Sequence, residues 1–262
     1  AYNRCPFCTL FKHLHYRELP LSQIEEELLR VKRVGGNPKT IFLGDGNAFG
    51  LPIEKLDRIL EMTHQHFPGC TSIHMDATVS DIMQKSDRDL QRLYHGGVRH
   101  LYLGIESGLD DVLHFMKKDH TLDQAYRAIE MLQASGLIYD AHIMTGIAGK
   151  GRGIENAEAT AAFLSTTGPS RIINFSLFLH ESAPLYREIQ TGNFVPADER
   201  ENLQEERHLL SLLKLSDAVY DGFHDYLSFR VRGNLPEDRA KMLQKLDAKI
   251  ETTREGIVAF VS

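Results

Sequence analysis

Apolar positions along the chain follow two alternating spacings. Short runs rich in β-branched residues, which are typical of strands, are separated by longer stretches in which apolar residues recur every three or four positions, which is typical of helices. The pattern predicts five strands in regular succession. They cover residues 40–43, 71–77, 98–105, 137–145 and 171–179.

Each predicted strand is followed by a helical stretch, and one more helix precedes the first strand. Ser22 and Glu25 predict a capping box at the start of that first helix. Strands that alternate with helices imply a parallel sheet covered by helices, and therefore an α/β fold. The predicted helices cover residues 20–34, a segment opened by Pro52, a segment begun by Ser86 and Asp89, a segment begun near Thr121, and residues 154–166.

The pattern changes near residue 190. Beyond it we predict a long helix near 197–215, then an irregular stretch, and a last helix near 236–250. No low-complexity linker separates the two regions. We therefore predict a barrel domain over residues 1–190 and a helical extension over residues 191–262 that packs on the barrel.

Polar and glycine-rich clusters follow the predicted strands. Because the carboxyl ends of parallel strands carry the chemistry in a barrel of this kind, these clusters predict a functional site at that end. The clusters lie at residues 44–47, 74–78, 106–108, 145–153 and 179–183.

The composition is ordinary for a globular domain, with 42% hydrophobic and 25% charged residues. The formal net charge of −6 argues against a surface built for nucleic-acid phosphates or anionic lipid, and no apolar run is long enough to cross a bilayer. We therefore expect a small-molecule substrate, no nucleic acid and no membrane partner. No signal peptide is recognisable, which together with the cysteine usage predicts a cytoplasmic location.

Cys5 and Cys8 are spaced C-x-x-C. Two thiolates can bind one side of a metal centre, but they cannot hold a four-iron cluster by themselves. The pair is also compatible with half a zinc site, a thioredoxin-type redox pair or chance. A zinc site needs a second pair of ligands, for which Cys70 and the 13 histidines are candidates without a recognisable spacing. We otherwise expect Cys70 to be a small packing residue.

The opening segment Ala1-Tyr2-Asn3-Arg4-Cys5-Pro6-Phe7-Cys8 resembles the end of the cysteine loop of radical S-adenosylmethionine (SAM) enzymes, in which an aromatic residue precedes the last of three cysteines. The usual spacing would place the first cysteine at Ala1, which cannot bind iron. A family variant with one more residue in the first interval fits better. On that interpretation the first cysteine lies directly before Ala1, and the strand that normally precedes the loop lies upstream of it.

Two more segments resemble the family. Gly44-Asp45-Gly46-Asn47 is similar to the short motif that binds the SAM ammonium group, although a plain turn explains it as well. Leu101-Tyr102-Leu103-Gly104-Ile105-Glu106-Ser107-Gly108 is similar to the fourth-strand signature, in which the resemblance gives Glu106 a role in binding SAM. A structural ion pair is the alternative for Glu106. The segment Glu181-Ser182-Ala183 departs from the family's last-strand pattern.

The resemblance implies a partial (β/α)6 TIM-like barrel with one [4Fe–4S] cluster and SAM as cofactors. It implies cluster ligation by Cys5 and Cys8, and no auxiliary cluster, since no further cysteine cluster exists. It implies contacts to SAM from a larger set of residues, while the catalytic residues stay unknown. The set is Phe7, Gly44, Asp45, Gly46, Asn47, Glu106, Ser107, Met144, Gly146 and Leu179.

The implied activity is reductive cleavage of SAM to a 5′-deoxyadenosyl radical, with an external electron donor such as flavodoxin or ferredoxin. The alternatives are an inactive barrel that serves as a binding or maturation partner, and a zinc-binding protein. Arg230 and Arg232 either clamp an anionic substrate or form a solvated edge. Further candidates for substrate contact lie on strands or at their ends: His74, Asp76, His142, Asn174 and His180.

Overall fold

The computed structural model describes residues 4–44 and 46–261. Within this part of the chain, strands and helices alternate as the sequence predicts. The strands are β1 (Thr40–Leu43), β2 (Ser72–Ala77), β3 (Val98–Glu106), β4 (Ile138–Thr145), β5 (Arg171–Ser176), β6 (Leu179–His180), β7 (Ala218–His224), β8 (Phe229–Leu235) and β9 (Phe260–Val261). The helices are α1 (Leu21–Arg33), α2 (Ile53–His66), α3 (Val79–Met83), α4 (Asp87–His95), α5 (Asp110–Phe115), α6 (Leu122–Ser135), α7 (Gly153–Thr167), α8 (Leu185–Gln190), α9 (Glu199–Leu212) and α10 (Arg239–Thr252).

Seven of the described strands form one sheet in the order β1-β2-β3-β4-β5-β7-β8. The pairs β1–β2, β2–β3, β4–β5 and β5–β7 are parallel, whereas β7 and β8 form an antiparallel hairpin. The sheet has two open edges, at β1 and β8, and is not closed into a full barrel. The α/β fold with a mostly parallel sheet is thereby confirmed.

Alternation along β2 gives the sheet two different faces. Ile73 and Met75 are fully buried, whereas His74 and Asp76, which alternate with them, are partly exposed. Successive residues of a strand point to opposite faces, so the apolar set packs under the helices and the polar set lies on the other face. The face that carries His74 and Asp76 is the one on which side chains could contact a ligand.

Two predicted helix starts had different outcomes. Ser86 and Asp89 form a complete capping box at the start of α4. The capping box predicted at Ser22 and Glu25 is wrong, because the N-cap of α1 is Pro20, two residues earlier, and it makes no side-chain hydrogen bond. Pro20 has the extended backbone conformation that is typical of an N-cap residue, with φ −62° and ψ 147°.

The region beyond residue 190 contains more strand than predicted. The expected irregular stretch forms β7 and β8, and β7 pairs with β5 inside the main sheet. Gly222 and Gly233 break the apolar pattern for packing reasons, since a Cβ at Gly222 would lie 1.8 Å from Glu206 Oε1 and one at Gly233 would lie 2.5 Å from Asp238 Cβ. The predicted strand over 171–179 was too long, because β5 ends at Ser176 and β6 pairs separately with β9.

The described residues divide into two compact units. The first unit comprises residues 13–44, 46–103 and 124–139, and the second comprises residues 4–12, 104–123 and 140–261. The boundary at residue 190 stays a prediction. No helix in the described part of the chain is long and apolar enough to cross a membrane.

Candidate functional site

The cysteine loop belongs to the second unit. Cys5 and Cys8 are free and partly exposed, and the Cys8 N–H donates a hydrogen bond to the Cys5 carbonyl oxygen at 3.4 Å. The Leu185 N–H donates to the Pro6 carbonyl oxygen at 2.9 Å. Phe7 packs against an apolar cluster that includes Leu185. The two cysteines therefore stand on a single tight turn, which the Leu185 N–H at the start of α8 and the apolar cluster hold in place.

The thiol of Cys5 lies in the field of a buried ion pair. Burial raises the pKa of Cys5, the cation of Lys118 lowers it, and the charges of Glu106 and Cys8 raise it. Only a thiolate binds iron, so the ammonium group of Lys118 favours the ligating form of Cys5. Glu106 and Lys118 are thus part of the electrostatic environment of the loop.

Glu106 and Lys118 form an ion pair of 3.0 Å, and each side chain is about one tenth exposed. Glu106 has φ +64°, a left-handed conformation that costs about 1–3 kcal/mol in a non-glycine residue. Gly104 makes room for the pair, because a Cβ there would lie 2.6 Å from Glu106 Oε1. The ion pair that was the alternative interpretation of Glu106 is present, and its role towards SAM stays a prediction.

His142 lies two residues before Met144 on β4, and both side chains are partly exposed. Burial lowers the pKa of His142 against the opposing charge of Glu106, so the imidazole is neutral at pH 7. The ring of His142 meets that of Phe175 edge to face at 5.8 Å. This part of the sheet can donate or accept a hydrogen bond without carrying charge.

Ser107 and Gly146 are engaged within the protein. The fully buried Ser107 hydroxyl donates to Asn156 Oδ1 at 2.5 Å. Gly146, with φ +80°, donates its N–H to Glu205 Oε2 at 2.8 Å. Burial raises the pKa of Glu205 to about 8, so this carboxyl group is mostly protonated at pH 7. The contacts of Ser107 and Gly146 to SAM stay predictions. The hydrogen bond to Glu205 fixes the position of the Gly146 backbone.

The remaining candidates of the second unit differ in what they can offer a ligand. Asn174 is fully buried, accepts from the Thr145 N–H at 3.2 Å and donates to the Tyr220 hydroxyl at 3.0 Å, so its amide has a structural use. His180 accepts from the Ser182 N–H at 3.2 Å through Nδ1. Leu179 is buried in the apolar cluster that holds Phe7.

Sequence reasoning missed two polar residues on α9. Glu199 and Asn202 line a recess together with Gly146 and Leu179. Among the described residues, Glu199 Oε2 and Asn202 Oδ1 are buried oxygens without a hydrogen-bond partner. No local motif marks them, because their interest comes from a helix packed on distant strand ends. Their spacing on α9, three residues apart, is the one signal that places them on a common helix face.

In the first unit, the glycine turn after β1 is closed by an asparagine. Asn47 Oδ1 accepts from the Gly50 N–H at 3.3 Å, and Asn47 Nδ2 donates to Asp81 Oδ2. Gly46 has φ +134°, which favours glycine, and Gly44 packs against the ring of Phe42. Asp45 lies outside the described residues. The ammonium-binding role of this turn therefore stays a prediction, and it concerns the backbone of Gly44, Gly46 and Asn47.

The polar face of β2 and β3 carries the other candidates of this unit. His74 bonds with Ser72 Oγ at 2.8 Å, and its ring lies 4.4 Å from that of His100. Burial raises the pKa of Asp76 to about 6. Register places Asp76 beside Tyr102. Histidine, tyrosine and a carboxyl group of raised pKa thus share one face, which suits proton exchange with a ligand.

The fold and the loop define an α/β protein that presents a C-x-x-C pair at a mostly parallel sheet. A family model described as the radical SAM superfamily matches residues 2–164. This match covers more than half of the chain, and the chain belongs to the radical SAM superfamily. That superfamily uses a [4Fe–4S] cluster and SAM.

Curated relatives are distant. The heme chaperone HemW of Bacillus subtilis (strain 168) is 24% identical over 244 residues, which is 86% of this chain and 61% of that protein. A tRNA-2-methylthio-N(6)-dimethylallyladenosine synthase of Chlorobium phaeovibrioides is 26% identical over 62% of this chain and 37% of that protein. The chain thus spans less than two thirds of the length of each of these relatives.

Solved structures share the fold at low identity. Elp3 of the archaeon Methanocaldococcus infernus matches with a TM-score of 0.60 at 17% identity, over 87% of this chain and 58% of that one. Coproporphyrinogen III oxidase (HemN) of Escherichia coli matches with a TM-score of 0.56 at 14% identity, over 85% and 61%. These likenesses establish a fold resembling the TIM-like radical SAM barrel.

The cysteine loop fits the cluster as far as the described residues reach. Cys5 and Cys8 are two free thiols on one turn, which matches two of the thiolate ligands that such a cluster needs. The described residues contain no group of three or more potential ligands that could hold a metal ion by itself. Ligation of a cluster by Cys5 and Cys8 stays a prediction, which the two free thiols on one turn are compatible with.

Proposed function

We propose that this chain cleaves SAM reductively at a [4Fe–4S] cluster and directs the resulting 5′-deoxyadenosyl radical to a small-molecule substrate. The observation that carries the proposal is the Cys5–Cys8 turn in the field of the Glu106–Lys118 pair. When bound, the cluster supplies the electron that breaks the sulfonium bond, and a flavodoxin or ferredoxin is the expected donor. The chain's own residues position and shield the reactants.

Each proposed role follows from the surroundings of the residue. Cys5 and Cys8 bind iron, and the cation of Lys118 favours the thiolate form of Cys5 against the burial that raises its pKa. Phe7, packed in an apolar cluster, holds the loop and excludes water from it. Glu106, fixed by Lys118, presents its remaining lone pairs to a donor on SAM.

Backbone groups are further proposed contacts, and each unit has its own. In the first unit, the turn around Gly44, Gly46 and Asn47 offers carbonyl oxygens to an ammonium group. In the second unit, the Gly146 turn follows Met144 and lines a recess with Leu179. Ser107 fixes the start of α5, because its hydroxyl accepts from the Leu109 N–H at 3.1 Å. Its role is therefore to shape the backbone next to Glu106.

Anaerobic reconstitution with iron and sulfide tests the proposal. We expect a version with a cysteine placed directly before Ala1 to bind about four iron and four sulfide per chain and to release 5′-deoxyadenosine from SAM and reductant. The version with Cys5→Ser should lose both, whereas Cys70→Ala is the matched control that keeps them, since Cys70 is buried away from solvent. Absence of deoxyadenosine from a loaded protein contradicts the enzyme proposal.

A second function is a barrel that binds or delivers a cofactor without catalysis. The observation that favours it is the similarity to a protein named as a heme chaperone. One result distinguishes the two proposals. A protein that holds the cluster but cleaves no SAM in the presence of reductant supports the binding role. The expectation of no nucleic acid also stays a proposal, since another relative is named as a tRNA-modifying enzyme.

A further inference from the structure

A row of four side chains crosses four neighbouring strands of the second unit. The register pairs Met144 on β4 with Phe175 on β5, Phe175 with Phe223 on β7, and Phe223 with Arg230 on β8. Residues in direct register project from the same face of a sheet, so the four side chains form one line. We call Met144, Phe175, Phe223 and Arg230 the aromatic row.

Contacts along the row are continuous at its centre. The rings of Phe175 and Phe223 are stacked, with centroids 5.5 Å apart and planes 16° from parallel. The guanidinium carbon of Arg230 lies 4.4 Å from the centroid of the Phe223 ring, within the range of a cation–π contact. His142 meets Phe175 edge to face at the other side.

The row is a surface and not part of the core. Asn174 and Tyr220, which flank it on β5 and β7 and point the other way, are fully buried. Phe175 and Phe223 are only partly buried, and the Arg230 side chain is 49% exposed. Strands inside parallel sheets are usually buried on both faces, so a partly exposed aromatic line needs a reason other than packing.

The charged end of the row has a surplus of positive charge. Arg230 binds the carboxylate of Asp221 through two hydrogen bonds, of 2.7 and 2.6 Å. Arg232 approaches the same carboxylate at 3.8 Å and is 57% exposed. Two guanidinium groups face one buried carboxylate, which leaves one positive charge and exposed N–H donors on Arg232. A planar anion with two oxygens is the ligand that such donors match best.

We propose that the aromatic row with Arg232 binds a small molecule that has a flat unsaturated body and a carboxylate group. The body stacks on Phe175 and Phe223, and the carboxylate binds Arg232 beside Arg230. As a statement about the substrate, this rests on the proposed function, because Met144 at the other end of the row is a proposed SAM contact. As a statement about binding, it stands on the row alone.

A matched pair of probes tests the proposal on the chain as it exists. The probes are 1-pyrenebutyrate and 1-pyrenebutanol, which share ring and tail and differ in charge, and their fluorescence reports binding. We expect the acid to bind roughly tenfold more tightly than the alcohol, as one charge-assisted hydrogen bond provides. In Arg232→Gln this preference should vanish, while Phe223→Leu should weaken both probes by a similar factor.

The controls keep the result interpretable. Arg254→Gln removes the same charge from an exposed position after α10 and should leave the preference unchanged. Arg232→Gln removes only the longer of the two ion pairs of Asp221, so this variant should fold, and circular dichroism verifies that. Arg230→Gln is less suited, because it strips the buried carboxylate of its bidentate partner.

Three results would overturn the proposal. Equal affinity for acid and alcohol in the unmodified chain is the first, and a full preference in Arg232→Gln is the second. Displacement of both probes by a uridine oligonucleotide, with strong salt dependence, is the third and would make the partner a nucleic acid. The assay needs neither cluster nor SAM, so a chain that prefers the acid but never cleaves SAM would defeat the proposed function and leave this inference standing.

Discussion

Glu106 and Lys118, twelve residues apart in sequence, close a buried ion pair of 3.0 Å over the Cα of Gly104. The carboxylate ends a strand and the ammonium group follows a short helix, so the pair ties β3 to the segment after α5. Its field reaches Cys5, which makes it the electrostatic link between the strand end and the cysteine loop.

Breaking this pair should destabilise the fold. Glu106→Gln and Lys118→Met each leave one charge buried without its partner, and each should cost roughly 3–5 kcal/mol of unfolding free energy. The double variant should cost clearly less than the sum, because it buries no unpaired charge. Urea unfolding of the four proteins in a double-mutant cycle measures the coupling, and strict additivity would contradict a direct interaction.

The reactivity of Cys5 should depend on Lys118. In Lys118→Met the pKa of Cys5 should rise further, since the nearby cation that lowers it is gone. A rise of one pKa unit reduces the thiolate fraction about tenfold at a pH below the pKa. Alkylation by iodoacetamide, located on the Cys5 peptide by mass spectrometry, should slow accordingly. Lys117→Gln is the control, and an equal slowing there would point to a general charge effect.

Stability should fall with rising pH because of Glu205. Its pKa is raised by burial to about 8, so the folded state holds a proton that the unfolded state releases near the ordinary glutamate value. Its contribution is complete at acid pH and is lost as the pH rises to about 8, at no more than about 1.4 kcal/mol per pH unit. Urea midpoints measured from pH 5 to pH 9 should show a shallower slope in Glu205→Gln than in the exposed control Glu251→Gln.

Asp76 should produce a similar effect at lower pH. Burial alone raises its pKa to about 6, so its contribution to stability declines as the pH rises from its ordinary range to about 6. Asp76→Asn should flatten the stability profile in that window and leave the slope above pH 7 as it is. An unchanged slope below pH 6, compared with the exposed control Glu26→Gln, would show that the carboxyl group is solvated.

Much of the fold follows from local pattern. Ile73 and Met75 alternate with His74 and Asp76, and this period of two predicts both a strand and its two faces. The hairpin of β7 and β8 escaped prediction because Gly222 and Gly233 interrupt that period. Gly222 is required by the side chain of Glu206 on α9, and Gly233 by the side chain of Asp238 at the N-cap of α10, and the period of two shows neither contact.

The site was predictable where one motif holds it. Cys5 and Cys8 and the Glu106 strand end are contiguous signals, and the superfamily to which they pointed is confirmed. The roles of these residues stay predictions. Lys118 and the aromatic row depend on pairing across the fold, so the sequence alone offers no spacing for them. Asn174 was a candidate for substrate contact, but its side chain lies on the fully buried face of β5. The sequence does not show which face of a strand a helix covers.

The hydrogen bond from Gly146 to Glu205 gives the glycine turn an unusual support. The turn is held by an acid that gains charge near pH 8, and that acid belongs to α9 and not to the strand. The affinity of any ligand that binds the backbone of this turn should therefore depend on the protonation of Glu205, although the ligand does not contact that residue. The affinity should change with pH around the pKa of Glu205, near 8.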